Sequence, residues 1–262
     1  MDGTLAQLIA LALHGSVWLA EADRVEPPTL HGNSTFQHVG AVRFDGVTEA
    51  CGDVASWLSY LSRDGASRIQ VVMPDFADPP EDPSLPWHHR IGFVGGLPIG
   101  LLVQTQRGSE LWRAGWEVGD RTSATPWLVT YSGEPTAMWA YCPPFGATWL
   151  ELRSAVEEAA AFAGAHGMNP WGCVFAEALA QGVAERPLLA YPDMVPDHGV
   201  SLERRRLLAL ATRANVFGGM GSWNDAGFDD EAVRAEYEGI SRRLFTSSMY
   251  ALAAAVNVES DR

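Results

Sequence analysis

The sequence predicts an α+β fold, with an N-terminal helix and a βαβ-like unit, a central antiparallel β meander and a C-terminal helical segment. Hydrophobic residues recur every three or four positions in residues 47–61 and again after residue 147, which is the period of an amphipathic helix. Between residues 88 and 142 they alternate with polar residues, as in a strand with one buried face. The chain is 47% hydrophobic over 262 residues, enough for a sizeable core.

The first third of the chain supplies the predicted helix and the βαβ-like unit. The opening segment, residues 4–22, is apolar, but Asp2 stands where a signal peptide carries positive charge. We therefore predict a buried core helix there. A strand over residues 34–46, a helix over residues 47–65 and a strand over residues 67–74 follow, and this order defines the βαβ-like unit.

The middle of the chain is predicted to form five short antiparallel strands. A proline-rich acidic loop, residues 74–86, precedes them, and no regular element spans so many prolines. Short turns rich in glycine separate the strands, which is typical of a meander. The predicted strands cover residues 88–96, 99–106, 109–118, 126–133 and 136–142.

The C-terminal part is predicted to be helical from Thr148 onward. Thr148 and Glu151 have the spacing of a capping box. Asn169 and Asp229 are the predicted N-caps of two later helices. We predict one domain over residues 1–262; if there are two subdomains, the Cys-Pro-Pro corner in residues 142–147 is the expected boundary between a β-rich part and a helical part.

The charge balance is strongly acidic. The chain has 18 basic and 32 acidic side chains, which gives a formal net charge of -14. A field of this sign repels phosphate backbones and anionic lipid headgroups, so we expect neither nucleic acid nor a membrane surface as a partner. A basic protein or a cationic small-molecule ligand is electrostatically favoured, although high net charge also simply keeps proteins soluble.

The basic and sulfur-containing residues exclude several kinds of chemistry. All 18 basic residues are arginine, so Schiff-base catalysis, a P-loop, a kinase-type ATP site and a Ser-Lys dyad are excluded, because each needs a lysine amine. The cysteines Cys51, Cys142 and Cys173 lack CxxC spacing, which argues against disulfides and a structural zinc site and favours a reducing cytoplasm. No signature of a cofactor or a metal ligand set is present, and none is predicted.

Two adjacent histidines, His88 and His89, follow the acidic loop and are candidates for acid–base chemistry. Clustered carboxylates and imidazoles also bind divalent cations, but the spacing here matches no established ligand pattern. In a strand the two imidazoles would point to opposite faces. A solvated acidic loop leading into an edge strand is the simpler interpretation. The preceding carboxylates are Asp75, Asp78, Glu81 and Asp82.

The segment 216–225, VFGGMGSWND, lies between two predicted helices. A phosphate-binding glycine loop follows a strand and leads directly into a helix, so nucleotide binding is not expected here. Glycines 218–219 are predicted to end the first helix with positive φ. Trp223, Asn224 and Asp225 then form either a self-contained turn or an anchor for a polar ligand or a partner's side chain.

Two functions from different classes are consistent with these features. The first is a soluble, bacterial-type binding module that engages a basic partner protein as inhibitor and immunity proteins do. Its predicted binding residues are Trp223, Asn224, Asp225, Trp112 and Trp116.

The alternative is an enzyme that acts by acid–base chemistry on a small organic substrate. Its predicted catalytic residues are His88, His89 and Asp225, with Asp197 as a further candidate. A concave pocket in which polar groups converge with shifted pKa values favours this alternative. An acidic or aromatic patch without such convergence favours the binding module.

Overall fold

The computed structural model describes residues 80 and 82 and the ranges 2–22, 25–46, 49–78, 84–93 and 96–257. Within these residues, helices lie at both ends of the chain and a strand meander lies in the middle, so the α+β class is confirmed. The strands are β1 (Val39–Asp45), β2 (Ala50–Cys51), β3 (Ile69–Val72), β4 (Gly100–Thr105), β5 (Gly108–Val118) and β6 (Trp127–Thr136). The helices are α1 (Gly3–Leu19), α2 (Val54–Arg63), α3 (Trp87–Arg90), α4 (Phe145–Ala165), α5 (Asn169–Val183), α6 (Leu202–Ala214) and α7 (Glu231–Val256).

The strands form one mixed sheet in the order β2-β1-β6-β5-β4-β3. The strands β4, β5 and β6 make the antiparallel meander. β1 pairs in parallel with β6, whereas β2 and β3 join the sheet by antiparallel pairing at its two ends. The helix α2 therefore connects β2 and β3, the two edge strands of the sheet, which run in the same direction.

Two of the five predicted meander strands are wrong. Residues 88–90 belong to α3, because Pro86 fixes the chain at the start of a helical turn. Residues 137–142 form irregular chain after β6. The two prolines that follow them cannot donate ladder hydrogen bonds, which favours departure from the sheet. The other three predicted strands correspond to β4, β5 and β6.

The first helix is a core helix, as predicted. Its buried residues lie around the whole circumference of α1, which is the pattern of a helix enclosed by other elements. The Asp2 carboxylate accepts a hydrogen bond from the Leu5 amide at 3.0 Å and caps the helix. Ser16 Oγ donates to the Ile69 carbonyl and accepts from the Ile69 amide, which fastens α1 to β3.

Aromatic rings fill the core between α2 and the sheet. Phe44 stacks on Trp57 with a centroid separation of 4.3 Å and on Tyr131 at 5.1 Å. Trp112 meets Phe44 and Trp57 edge to face and is 0% exposed. A fully enclosed indole stabilises the core by burial and has no surface for a partner, contrary to its prediction as a binding residue.

The C-terminal helices α4 to α7 pack against one another in a helical bundle. Arg243 of α7 donates to Glu151 of α4 at 2.8 Å and also pairs with Glu158. One hydrophobic cluster contains buried residues from both sides of segment 142–147. That residues 1–262 form one domain remains a prediction. No helix in the described part of the chain has the length and apolar character that crossing a membrane requires.

Three of the predicted helix starts are wrong in detail. α4 begins at Phe145, and Thr148 Oγ1 donates to the Pro144 carbonyl at 2.8 Å instead of forming a capping box. Asn169 is the first residue of α5 rather than its N-cap. Asp230, one residue later than predicted, caps α7 because its carboxylate accepts from two first-turn amides.

Candidate functional site

The short helix α3 places His88 and His89 side by side. The main-chain amides of His89 and Arg90 both donate to the Pro86 carbonyl, at 3.0 and 3.1 Å. In a helical turn, adjacent side chains diverge by about 100° rather than the 180° of a strand. The centroids of the two imidazole rings lie 4.4 Å apart. The expectation that they point to opposite faces is therefore wrong, and both can serve one site.

Glu238 of α7 completes a cluster with the two histidines. Glu238 Oε2 lies 3.1 Å from His88 Nε2, and Oε1 lies 3.8 Å from His89 Nε2. One carboxylate therefore faces both imidazoles. Counting one ligand atom from each residue, the three atoms lie within 4.8 Å of one another. We call this group of His88, His89 and Glu238 the His–His–Glu cluster.

Burial controls the protonation state of His88. The residue is 1% exposed, whereas His89 and Glu238 are half-buried. Burial, followed by the neighbouring charge of His89, lowers the pKa of His88 to about 4 although Glu238 acts in the opposite direction. The imidazole is therefore neutral at pH 7, and a neutral imidazole keeps one ring nitrogen free to accept a proton or to bind a metal ion.

A cavity of about 320 Å³ adjoins His88, and we call it the Phe76 cavity. Its apolar wall includes Phe76, Trp87 and Phe245, and Phe76 meets the other two rings edge to face at centroid separations of 5.6 and 5.3 Å. Arg242 lines the same cavity and forms no ion pair with any carboxylate in the described part of the chain. Small-molecule sites are typically apolar clefts of about 300 Å³ or more with a few polar groups.

The segment 216–225 packs against the backbone of α3 and of the residues just after it. The Asn224 side-chain amide donates to the main-chain carbonyl of His88 at 2.7 Å. A Cβ atom added to Gly92, just after α3, would lie 2.6 Å from the carbonyl oxygen of Gly218. The segment is therefore in close contact with the backbone of α3 and of the residues just after it. The hydrogen bond from Asn224 goes to the main chain of His88 and not to the imidazole ring.

Trp223 lies in the core rather than on a binding surface. It is 0% exposed, and its Nε1 donates to Ser241 Oγ at 2.8 Å. Its carbonyl accepts from the Tyr237 hydroxyl. Because both polar groups are satisfied internally, Trp223 has nothing to offer a ligand or partner, and its prediction as a binding residue is not supported.

Asp225 serves the turn itself. Its carboxylate accepts from the Gly221 amide, and no hydrogen bond or ion pair in the described residues joins it to either imidazole. Gly221 carries the positive φ of this segment, 82°, whereas glycines 218–219 lie outside the left-handed region. Glu238 therefore occupies the place beside the histidines that the sequence interpretation gave to Asp225.

Of the other predicted candidates, Asp78 lines the Phe76 cavity together with His88, and the following residues have different neighbours. Asp75, in the acidic loop, accepts from the Tyr250 hydroxyl, and Glu81 falls outside the described residues. On a later loop, His198 Nε2 lies 3.8 Å from Glu21 on the surface. Trp116 is half-buried and lines a second cavity, at the N-terminus of α1.

Sequence reasoning missed Glu238 and Arg242. They lie four residues apart on α7, which puts both on one face of the helix. The surrounding stretch is rich in glutamate and arginine, as any solvated helix face is, and Glu238 is 150 residues away from His88. Only the folded chain brings the three residues of the cluster together.

A comparison with protein-family models, with curated proteins and with solved structures finds no match to this chain. Function is therefore argued from the site itself. The His–His–Glu cluster supplies two imidazoles and one carboxylate, and the Phe76 cavity supplies apolar walls, the Arg242 guanidinium and the Asp78 carboxylate.

Proposed function

We propose that the chain is a metal-dependent enzyme that acts on a small organic anion and holds its metal ion with His88, His89 and Glu238. The observation that carries this proposal is the convergence of two imidazoles and one carboxylate, with one of the imidazoles, His88, lining a cavity. Three protein ligands are the set typical of catalytic metal centres, because they leave coordination positions open. This enzyme differs from the sequence expectation in using Glu238 in place of Asp225.

The ligand types favour a transition-metal ion. Imidazole nitrogen suits Zn²⁺, Fe²⁺, Co²⁺ and Ni²⁺, whereas Ca²⁺ and Mg²⁺ prefer oxygen alone. With metal–ligand distances of about 2.1 Å, tetrahedral ligand atoms lie roughly 3.4 Å apart. His88 Nε2 and Glu238 Oε2 are already 3.1 Å apart. His89 and Glu238 are half-buried, so their side chains have room for the small movement that completes the site.

Each group around the cavity has a distinct role. His88 is neutral at pH 7, so it binds a metal ion without releasing a proton. A divalent ion held by these three residues would supply Lewis-acid chemistry towards substrate oxygen atoms. The Arg242 guanidinium matches a carboxylate or phosphate group, and the rings of Phe76, Trp87 and Phe245 accommodate the apolar part of the same molecule.

Metal binding has a direct test by calorimetric titration of metal-free protein with Zn²⁺ and Co²⁺. We expect one site per chain and at least about tenfold weaker binding in His89→Ala and Glu238→Gln, because each removes one of three ligands. His198→Ala is the matched control, since it removes an imidazole beside the isolated carboxylate of Glu21. Absence of binding, or equal affinity in all four proteins, would contradict the proposal.

The substrate class has a separate test with phenylacetate as the probe. We expect phenylacetate to shift the His88 and His89 ring signals in NMR spectra, and its neutral analogue phenylacetamide to bind at least about tenfold more weakly. Arg242→Gln should remove this preference, whereas Arg234→Gln, on the same helix, should keep it. Equal binding of both probes would count against an anionic substrate.

A partner-binding module remains a second candidate, on one specific observation. Met138, Trp139 and Tyr141 are exposed in the irregular chain after β6, and Trp139 is 71% exposed. Aromatic residues are enriched in protein interfaces, and the net charge of -14 favours a basic partner and disfavours nucleic acid. Loss of a captured partner in Trp139→Ser and in high salt, with Leu188→Ser at another exposed apolar position unaffected, would support this function.

A cytoplasmic location fits both candidates. Cys173 is an exposed cysteine with no disulfide partner in the described part of the chain. Free exposed thiols persist in reducing compartments. Fractionation of the source cells, with a probe for this chain, tests the location.

A further inference from the structure

A second cavity lies at the N-terminus of α1, far in sequence from the His–His–Glu cluster. Its volume is about 310 Å³, and its walls include Trp116, Trp127 and Tyr191 together with the carboxylate-bearing residue Asp2. None of its lining residues lines the Phe76 cavity. A ligand bound here would therefore occupy a site separate from the proposed metal centre.

The two tryptophans of this cavity meet nearly at a right angle. The ring centroids of Trp116 and Trp127 lie 5.9 Å apart with an interplanar angle of 79°. Trp116 Nε1 donates to Thr4 Oγ1 at 3.0 Å, so its one polar group is satisfied inside the protein. What these rings offer a ligand is their π surface, and perpendicular aromatic walls are the arrangement found in cages for ammonium ions.

The charge at this cavity favours a cation. Asp2 contributes a full negative charge, whereas the positive end of the α1 dipole amounts to roughly half a charge. No arginine lines the cavity, and His38 is the lone imidazole among the lining residues that the structure describes. Burial, aided by the charge of Asp2, raises the pKa of Tyr191, so its phenol is neutral at pH 7 and adds a third aromatic surface without adding charge.

The buried amide of Gln7 offers no competing group. Gln7 Nε2 donates to the Thr35 carbonyl at 3.2 Å, and Gln7 Oε1 accepts from the Tyr131 hydroxyl at 2.9 Å. Its polar atoms are therefore committed to the protein, and they hold α1, the β6 strand and the turn at Thr35 in fixed relation. The cavity is thus built on a core element, which favours a site formed before the ligand arrives.

We propose that this cavity binds a small organic cation of the quaternary or alkylated ammonium class, with Trp116, Trp127 and Tyr191 around the cationic head and Asp2 as its counter-charge. Cation–π attraction and a nearby carboxylate both favour the charged molecule over a neutral one of the same shape. The field of a chain with net charge -14 also raises the local concentration of cations. The site is independent of the metal centre.

Choline and its neutral carbon analogue, 3,3-dimethylbutan-1-ol, are the probes that test this inference. Calorimetric titration and the shifts of the indole N–H signals in NMR spectra report binding. We expect choline to bind at least about tenfold more tightly than the alcohol, with the Trp116 and Trp127 signals shifting most. Equal affinity for the two probes, or no binding of choline, would overturn the inference.

Two variants separate charge from fold. Asp2→Asn removes the charge but keeps a good helix N-cap, so it should weaken choline binding about fivefold or more and leave the alcohol unaffected. Trp127→Leu should weaken choline binding at least about tenfold while the free energy of unfolding changes little, because Trp127 is partly exposed. Unchanged choline affinity in both variants would also overturn the inference.

Discussion

The side-chain amide of Asn224 donates to the main-chain carbonyl of His88 at 2.7 Å and joins the glycine-rich segment 216–225 to the helix that carries both histidines. The other amide atom, Asn224 Oδ1, is buried and has no hydrogen-bond partner in the described part of the chain. An unsatisfied buried acceptor costs free energy of folding. We infer that Asn224 is kept because its hydrogen bond holds α3 in the position where His88 meets Glu238.

Substitution of Asn224 should affect metal binding without removing a ligand. We expect Asn224→Ala to weaken Zn²⁺ binding about tenfold, because residues that orient metal ligands typically contribute tenfold or more to affinity. Asp225→Asn is the control, since its side chain keeps an acceptor for the Gly221 amide and, within the described residues, makes no hydrogen bond or ion pair to His88. Calorimetry measures both variants. An unchanged affinity in Asn224→Ala would show that α3 is held by other contacts.

The close approach of Gly92 to Gly218 gives a prediction about stability. A Cβ at Gly92 would lie 2.6 Å from a backbone oxygen, whereas one at Gly219 would meet nothing within 4 Å. We therefore expect Gly92→Ala to lower the free energy of unfolding by about 1–3 kcal/mol and Gly219→Ala to change it by less than about 0.5 kcal/mol. Urea denaturation measures both, and equal stabilities would argue against this backbone contact.

Stability should also depend on the protonation of His14. Its Nε2 lies 3.0 Å from the Asp193 carbonyl, and burial lowers its pKa, although Asp193 and Asp197 act in the opposite direction. The unfolded chain therefore takes up this proton more readily than the folded chain, so the stabilisation is complete above about pH 6.5 and is lost as the pH falls below it.

The measurement for His14 is a difference between two proteins. We expect the stability gap between the parent chain and His14→Gln, determined by urea denaturation, to be larger at pH 7.5 than at pH 5.5. The comparison cancels the contributions of titrating groups that do not interact with His14. A gap that is the same at both pH values would mean that the His14 pKa does not differ between the folded and unfolded states.

At the edge strand β3, the Asn257 side chain forms hydrogen bonds with the backbone. Asn257 Oδ1 accepts from the Val71 amide and Asn257 Nδ2 donates to the Val71 carbonyl, both at 2.8 Å. We expect Asn257→Ala to lower the free energy of unfolding by about 2–4 kcal/mol, because two buried backbone groups lose their partners. Hydrogen exchange at the Val71 amide should accelerate in parallel. Unchanged protection at Val71 would contradict this role.

The fold class was readable from the sequence because periodicity depends on which face of each element is buried. The N-terminal core helix follows from an apolar run without formal charge, and the strands β4 to β6 follow from short hydrophobic segments separated by glycine-rich turns. The two strand errors, at residues 88–96 and 136–142, lie beside prolines. There, backbone constraints outweigh a short alternating pattern.

Only part of the candidate site could be predicted from the sequence, because its residues come from distant parts of the chain. His88 and His89 were identified as candidates, but a strand was expected where a helical turn brings the rings together. Glu238 and Arg242 belong to an ordinary charged helix face in the sequence, and only tertiary packing selects them. Trp112 and Trp223 were predicted to bind a partner but lie in the core, because composition alone does not distinguish a core tryptophan from a binding one.

The most direct test of the metal centre is anomalous diffraction at the zinc absorption edge from crystals grown with one equivalent of Zn²⁺. The account predicts one peak, about 2.0–2.2 Å from a ring nitrogen of His88, a ring nitrogen of His89 and a carboxylate oxygen of Glu238. A map with no peak at these three residues, or with peaks only at surface groups such as His198 and Glu21, would contradict it.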